Sequence, residues 1–145
     1  MKDKRVLIIG LGLIGGSIAL AIKKEHRASI IGYDVNHHQA KLAKSLNIID
    51  EAVSSLEDGV KDASLIIIAI PVIQTEKMID TLATLPLKEN VIITDVGSTK
   101  TAIVEKSSVF AERNAIFIGG HPMAGSHKTG VIASKAHLLE NAFYI

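Results

Sequence analysis

The sequence predicts a doubly wound α/β domain built on a mainly parallel sheet, and three observations carry that reading. Short apolar runs alternate with helix-like segments at spacings of roughly 20 to 30 residues, the rhythm of strand–helix–strand units. Apolar residues make up 48% of the chain but aromatic residues only 3%, with no Trp, so the core is aliphatic, as suits parallel strands buried under helices. A glycine-rich turn, Gly10 to Gly15, follows the first apolar run directly. With 145 residues the chain fits one domain.

Taken in order, Arg5 to Ile9 (RVLII) reads as a short buried strand. After the glycine turn, Ile14 to Lys24 forms a small-residue helix, closed by Lys23, Lys24 and His26, cations that suit a helix C-terminus. Ser29 to Tyr33 (SIIGY) is a second strand ended by Asp34, and Asn36 caps a helix over about His37 to Leu46. Leu65 to Ile70 (LIIIAI) is apolar throughout, the pattern of a strand buried on both faces, and it stops at Pro71. A helix near Gln74 to Leu85, a fourth strand Val91 to Asp95 (VIITD), a helix Thr101 to Arg113 and a fifth strand Ala115 to Ile118 (AIFI) follow. Gly119 to Gly130 is a loop with four glycines, two histidines and Pro122; Ala133 to Glu140 reads as a helix, and Ala142 to Ile145 as the opening of another strand. A chain ending within a strand leads us to expect a further domain beyond this one.

Composition narrows the function classes. The net charge is +1 with histidines neutral, and no Lys/Arg run exceeds two residues, so the basic stripe that nucleic-acid binding needs is missing. Zero cysteines exclude a disulfide framework, a thiolate nucleophile and a Cys-based metal site, which fits a cytoplasmic protein. Lys2, Lys4 and Arg5 ahead of the uncharged stretch Val6 to Ile22, with Ala19-Leu20-Ala21 as a cleavage-like triplet, imitate a signal peptide. Four glycines within Gly10 to Gly16 interrupt that run, and its removal would deprive the other strands of their first partner. We read neither a signal peptide nor a membrane span.

Gly10-Leu11-Gly12-Leu13-Ile14-Gly15 is a G-x-G-x-x-G between a strand and a helix, the Rossmann-type dinucleotide signature. Gly10 permits the tight turn, Gly12 lets a pyrophosphate approach the backbone, and Gly15 lets the helix pack close to the sheet. The free N–H groups at the start of the helix, around Leu13 and Ile14, suit the phosphates, and Gly16 and Ser17 extend the motif. Asp34 stands 19 residues after Gly15 at the end of the second strand, where a carboxylate accepts hydrogen bonds from the adenosine ribose and repels a 2′-phosphate. No Arg follows nearby, so NAD is expected rather than NADP. His37 and His38 read as solvated residues opening a helix and lack the spacing of metal ligands; we assign no metal site.

Ligands of such sheets sit outside the carboxyl ends of the strands, and three further ends carry unusual residues. Ile70-Pro71-Val72 either terminates the third strand or forms a wall of the cofactor site. Ser98 or Thr99, in Thr94-Asp95-Val96-Gly97-Ser98-Thr99-Lys100, caps the following helix, and a hydroxyl there can also face the nicotinamide and substrate; the two roles are compatible. His121 lies between a glycine pair and Pro122 at a strand end, a placement that core packing explains poorly. Dehydrogenation of an alcohol needs a neutral imidazole to accept the hydroxyl proton as hydride leaves, and His121 suits that role. His127 and Lys128 read as solvated loop residues, although Lys128 is placed where it could meet an anionic substrate.

GLGLIGGS (Gly10 to Ser17), TDVGSTK (Thr94 to Lys100) and GGHPMAGSHKTG (Gly119 to Gly130) together closely resemble the prephenate dehydrogenase family, over essentially all 145 residues but only that family's amino-terminal domain. The first motif is common to many NAD enzymes; the last is far more specific. The resemblance implies NAD-dependent oxidative decarboxylation of prephenate to 4-hydroxyphenylpyruvate, in tyrosine biosynthesis. It also implies that His121 hydrogen-bonds and polarises the ring hydroxyl, that Ser98 orients His121 beside the cofactor, and that Ser126 lies near the substrate. A helical second domain, expected to supply an arginine for the substrate carboxylate and the homodimer contact, is not represented in these residues. Where some family members carry an acidic residue after the position of Ser126, this chain has His127. Arogenate, the amino analogue of prephenate, is an equally consistent substrate on these residues. A β-hydroxyacid dehydrogenase would instead use a lysine on a later helix, and an NAD-sensing module would have no need of His121.

Overall fold

The computed structural model describes residues 4–25, 28–70, 72–95, 110 and 115–118. Within them six strands form one sheet: β1 (Lys4–Ile9), β2 (Ala28–Tyr33), β3 (Glu51–Ala52), β4 (Leu65–Ile68), β5 (Ile92–Asp95) and β6 (Ile116–Ile118). They run in the order β3-β2-β1-β4-β5-β6, and every neighbouring pair is parallel. Four helices fill the connections: α1 (Leu13–Glu25), α2 (His37–Ser45), α3 (Leu56–Val60) and α4 (Val72–Leu82).

The alternation of side chains across the pleat divides the core into two layers. Val6 and Ile8 of β1 and Leu65 and Ile67 of β4 face Ile18, Ala19 and Ile22 of α1 and Ala40 and Ala43 of α2. Leu7, Ile9, Ile66 and Ile68 face the opposite way, onto Val60 of α3 and Ile79 and Leu82 of α4. Helices therefore cover both faces of the sheet, which is the doubly wound arrangement expected. The continuous apolarity of the central strands is explained as well: Val6 to Ile9 and Leu65 to Ile68 are all buried.

Strands β1 and β2 and helices α1, α2 and α4 fall where the sequence places them, with ends shifted by one to three residues. The strand expected to reach Ile70 ends at Ile68. Its neighbour β1 turns away at Gly10, so that on that side the pairing ends at the Ala69 N–H, which donates to the Ile9 carbonyl at 2.7 Å. Edge strand β3 and helix α3 are absent from the sequence reading. Asp50 prepares β3 by imitating a strand residue: its N–H donates to the Ile30 carbonyl at 2.9 Å, and its carboxylate accepts the Ile30 N–H at 2.8 Å. Ser55 caps α3 by accepting the Asp58 N–H at 3.2 Å. The expected helix over 101–113, apart from Phe110, and everything expected after residue 118 lie outside the described residues.

Candidate functional site

In this strand order the chain leaves β1 toward β2 on one side and β4 toward β5 on the other, so the connections diverge at the carboxyl ends of β1 and β4. A crevice opens at such a point. Here it is a cleft of about 500 Å³ between the glycine turn, the end of β2 and the first turns of α4.

The turn is held from both sides, since Gly10 N–H donates to the Tyr33 carbonyl at 2.8 Å while Ala69 N–H ties β4 to Ile9. Gly10 has a φ of +97°, and a Cβ there would strike the Ala69 carbonyl oxygen and come within 2.7 Å of Ile70 Cγ2. At Gly15 a Cβ would collide with the Gly10 carbonyl oxygen, so α1 can lie this close to the turn only with glycine. Gly12 differs: a Cβ there would meet nothing within 4 Å, and the residue lines the open cleft. The first helical hydrogen bond runs from Gly16 N–H to the Gly12 carbonyl at 2.9 Å, which leaves the N–H groups of Leu13, Ile14 and Gly15 ahead of it without intrahelical acceptors. No acidic residue occupies this first turn to compete for an anion. Leu13 and Ile14 expose their side chains, 73% and 48% respectively, so they offer a ligand their backbone more than a packed wall.

Asp34 sits at the far side of the cleft, at the end of β2. Its Oδ2 accepts the Leu11 N–H at 2.9 Å and its Oδ1 accepts the Asn36 N–H at 2.9 Å. The carboxylate thus fixes the glycine turn to the entrance of α2, and each oxygen keeps a further lone pair for a ribose hydroxyl. His37 and His38 are exposed, as expected, with the His37 ring 6.4 Å from Tyr33 in an edge-on arrangement.

Opposite Asp34, Ile70 lines the cleft and its carbonyl accepts the Thr75 hydroxyl at 3.3 Å. Pro71 lies outside the described residues, and Val72 is placed only as the first residue of α4. Gln74, Lys77 and Met78 also face the cleft and were not foreseen. Their spacing of three and four residues puts them on one side of a helix, a pattern readable in advance only if the direction of α4 were known.

Strands β5 and β6 end at Asp95 and Ile118, on the same edge of the sheet as the glycine turn, because every strand is parallel. Thr94 and Asp95 are buried there. Ser98, His121 and Ser126 follow these two strands in sequence and lie outside the described residues.

The cleft can accommodate a dinucleotide by what it offers: open backbone at a helix N-terminus, an acceptor for sugar hydroxyls and an apolar wall. Comparison with known proteins agrees. Residues 18–145 match the family model described as the nucleotide-binding domain of prephenate dehydrogenase. The chain is 52% identical to the prephenate dehydrogenase of Bacillus subtilis over all of its own length and 39% of that protein's. Among solved structures, the prephenate dehydrogenase of A. aeolicus in complex with hydroxyphenyl propionate and NAD+ matches 88% of this chain and 44% of its own, with a TM-score of 0.73 and 32% identity. The arogenate dehydrogenase of Synechocystis matches 81% of this chain and 40% of its own, with a TM-score of 0.66 and the same 32% identity. The chain spans about 40% of the length of these relatives.

Proposed function

This chain belongs to the prephenate dehydrogenase family, as its nucleotide-binding domain, and from that premise we propose that it holds NAD for the oxidative decarboxylation of prephenate to 4-hydroxyphenylpyruvate and CO₂. The observation that carries the reading is the cleft itself, with open backbone at Gly12 on one side and the Asp34 carboxylate on the other. The cofactor is NAD, which when bound supplies a hydride acceptor.

Gly12 and the N–H groups of Leu13, Ile14 and Gly15 receive the pyrophosphate, and Asp34 accepts the adenosine ribose hydroxyls. Ile70, with Pro71 and Val72, forms the wall beside them. In the reaction the carbon bearing the ring hydroxyl loses hydride and develops positive charge. His121 hydrogen-bonds that hydroxyl, takes up its proton as hydride leaves and returns it to the same oxygen as the ring becomes aromatic, while Ser98 holds the imidazole in place and Ser126 borders the substrate. The electron pair of the breaking carbon–carboxylate bond completes the aromatic ring as CO₂ departs. A helical domain beyond this chain supplies the partner of the substrate carboxylate and the homodimer contact. In this reading the assembly works in the cytoplasm on a small molecule, without a nucleic-acid or membrane partner.

Arogenate is the second reading, because an arogenate dehydrogenase is as similar in sequence, at 32%, as the prephenate enzyme among the solved structures compared. The test is NADH formation with each substrate in a polypeptide extended to the length of the relatives, comparing wild type with His121→Asn. We expect the substitution to lower kcat by about 100-fold or more and to leave the affinity for NAD unchanged. An unaltered rate of hydride transfer would remove His121 from the mechanism, and a preference for arogenate would replace the substrate.

A further inference from the structure

The cleft is lined mainly by apolar side chains, and among the described residues only two formally charged ones line it: Asp34, at the end of β2, and Lys77, on α4. The position of Lys77 is fixed by its helix. Thr75, Ile79 and Leu82 of α4 are buried, while Gln74 and Lys77 are exposed and line the cleft together with Met78, which also packs against the core. Lys77 is itself exposed, so its ammonium is mobile on a flexible stem. The Asp34 oxygens are engaged by the backbone N–H groups of Leu11 and Asn36, and among the described residues the Lys77 ammonium has no ion-pair partner, so an incoming anion can reach it.

From this placement we propose that Lys77 is a specificity-determining residue: it opposes Asp34 in setting how strongly the site rejects a phosphate on the adenosine 2′-hydroxyl. The inference rests on the reading of the cleft as the NAD site. Asp34 and Lys77 line the same cleft of about 500 Å³, and charges no farther apart than about a Debye length, about 8 Å at physiological salt, act on one another with little screening. A ribose hydroxyl is neutral, and Lys77 has little to say about it. A 2′-phosphate carries close to two negative charges at neutral pH, so it is repelled by Asp34 and attracted by Lys77. The two side chains therefore act with opposite sign on NADP, and only Asp34 acts strongly on NAD. A lysine that met the shared pyrophosphate would instead affect both nucleotides alike.

The experiment is a calorimetric titration of the chain with NAD and with NADP, in the wild type, Lys77→Met, Lys77→Arg and Asp34→Asn, and in the double variant Asp34→Asn/Lys77→Met. Lys77→Met should weaken NADP binding about five-fold and NAD binding by less than about two-fold, with Lys77→Arg close to wild type. Asp34→Asn should strengthen NADP binding relative to NAD, and adding Lys77→Met should cancel much of that gain. Raising the salt concentration should shrink the Lys77 effect. Equal weakening of both nucleotides, an unchanged affinity for NADP, or no NADP binding even in Asp34→Asn would each overturn the proposal while leaving the NAD site intact. Failure of the wild type to bind NAD at all would instead overturn the reading of the cleft on which the proposal stands.

Discussion

Gly12 and Gly15 are three residues apart in one turn, yet a side chain would meet different surroundings at each. At Gly15 it would run into the Gly10 carbonyl, whereas at Gly12 it would enter empty space on the cleft side. The same residue type thus permits close packing at one position and leaves the cleft open at the other. Gly12→Val is therefore predicted to change the free energy of unfolding in urea by no more than about 1 kcal/mol and to weaken NAD binding by about 100-fold. Gly15→Val is predicted to cost about 2 to 4 kcal/mol of stability, because backbone has to move. Equal destabilisation by both would mean that Gly12 is structural. Asp34 also has two duties. Its place at the end of a strand pointed to ribose binding, but its hydrogen bond from Leu11 joins residues 23 apart in the chain, and no sequence pattern announces a contact of that kind.

Elements were legible in proportion to their length and burial. Val6 to Ile9 and Leu65 to Ile68 are buried on both faces, so their unbroken apolarity was an accurate signal. Two-residue β3 and five-residue α3, which contains Gly59, are too short to show a period; only Ser55 with Glu57 and Asp58 in the first turn hinted at a helix start. Helix α2 was legible at its beginning through Asn36, which accepts the His38 N–H at 3.1 Å. Its end was less so. Asn47 there has a φ of +61°, with its N–H donating to the Lys44 carbonyl and the Ile48 N–H to the Ala43 carbonyl, a Schellman closure. Asparagine tolerates this left-handed backbone better than residues with an ordinary Cβ. Asn47→Ala should lower stability by about 1 kcal/mol and Asn47→Gly should preserve or raise it, measured by thermal unfolding. The reverse order would show that the Asn side chain, not the backbone, carries the cap. On the site, the β1–α1 turn and Asp34 could be read because a known motif fixes their spacing, while the cleft face of α4 depended on a crossover direction that only the assembled sheet reveals.

For the molecule as a whole, the strand order β3-β2-β1-β4-β5-β6 is what turns separate motifs into one site. It brings the glycine turn after β1, the acidic end of β2 and the start of α4 to one crevice, although they lie far apart in sequence. Helices on both faces make that crevice rigid, since the central strands that carry it are packed into two aliphatic layers. In the proposed division of labour the chain, at about 40% of its relatives' length, holds the cofactor. That division is open to a direct measurement: calorimetric titration of the 145-residue chain with NAD and, separately, with NADP. We predict saturable binding of one NAD per chain and weaker binding of NADP; no NAD binding, or tighter binding of NADP, would contradict it.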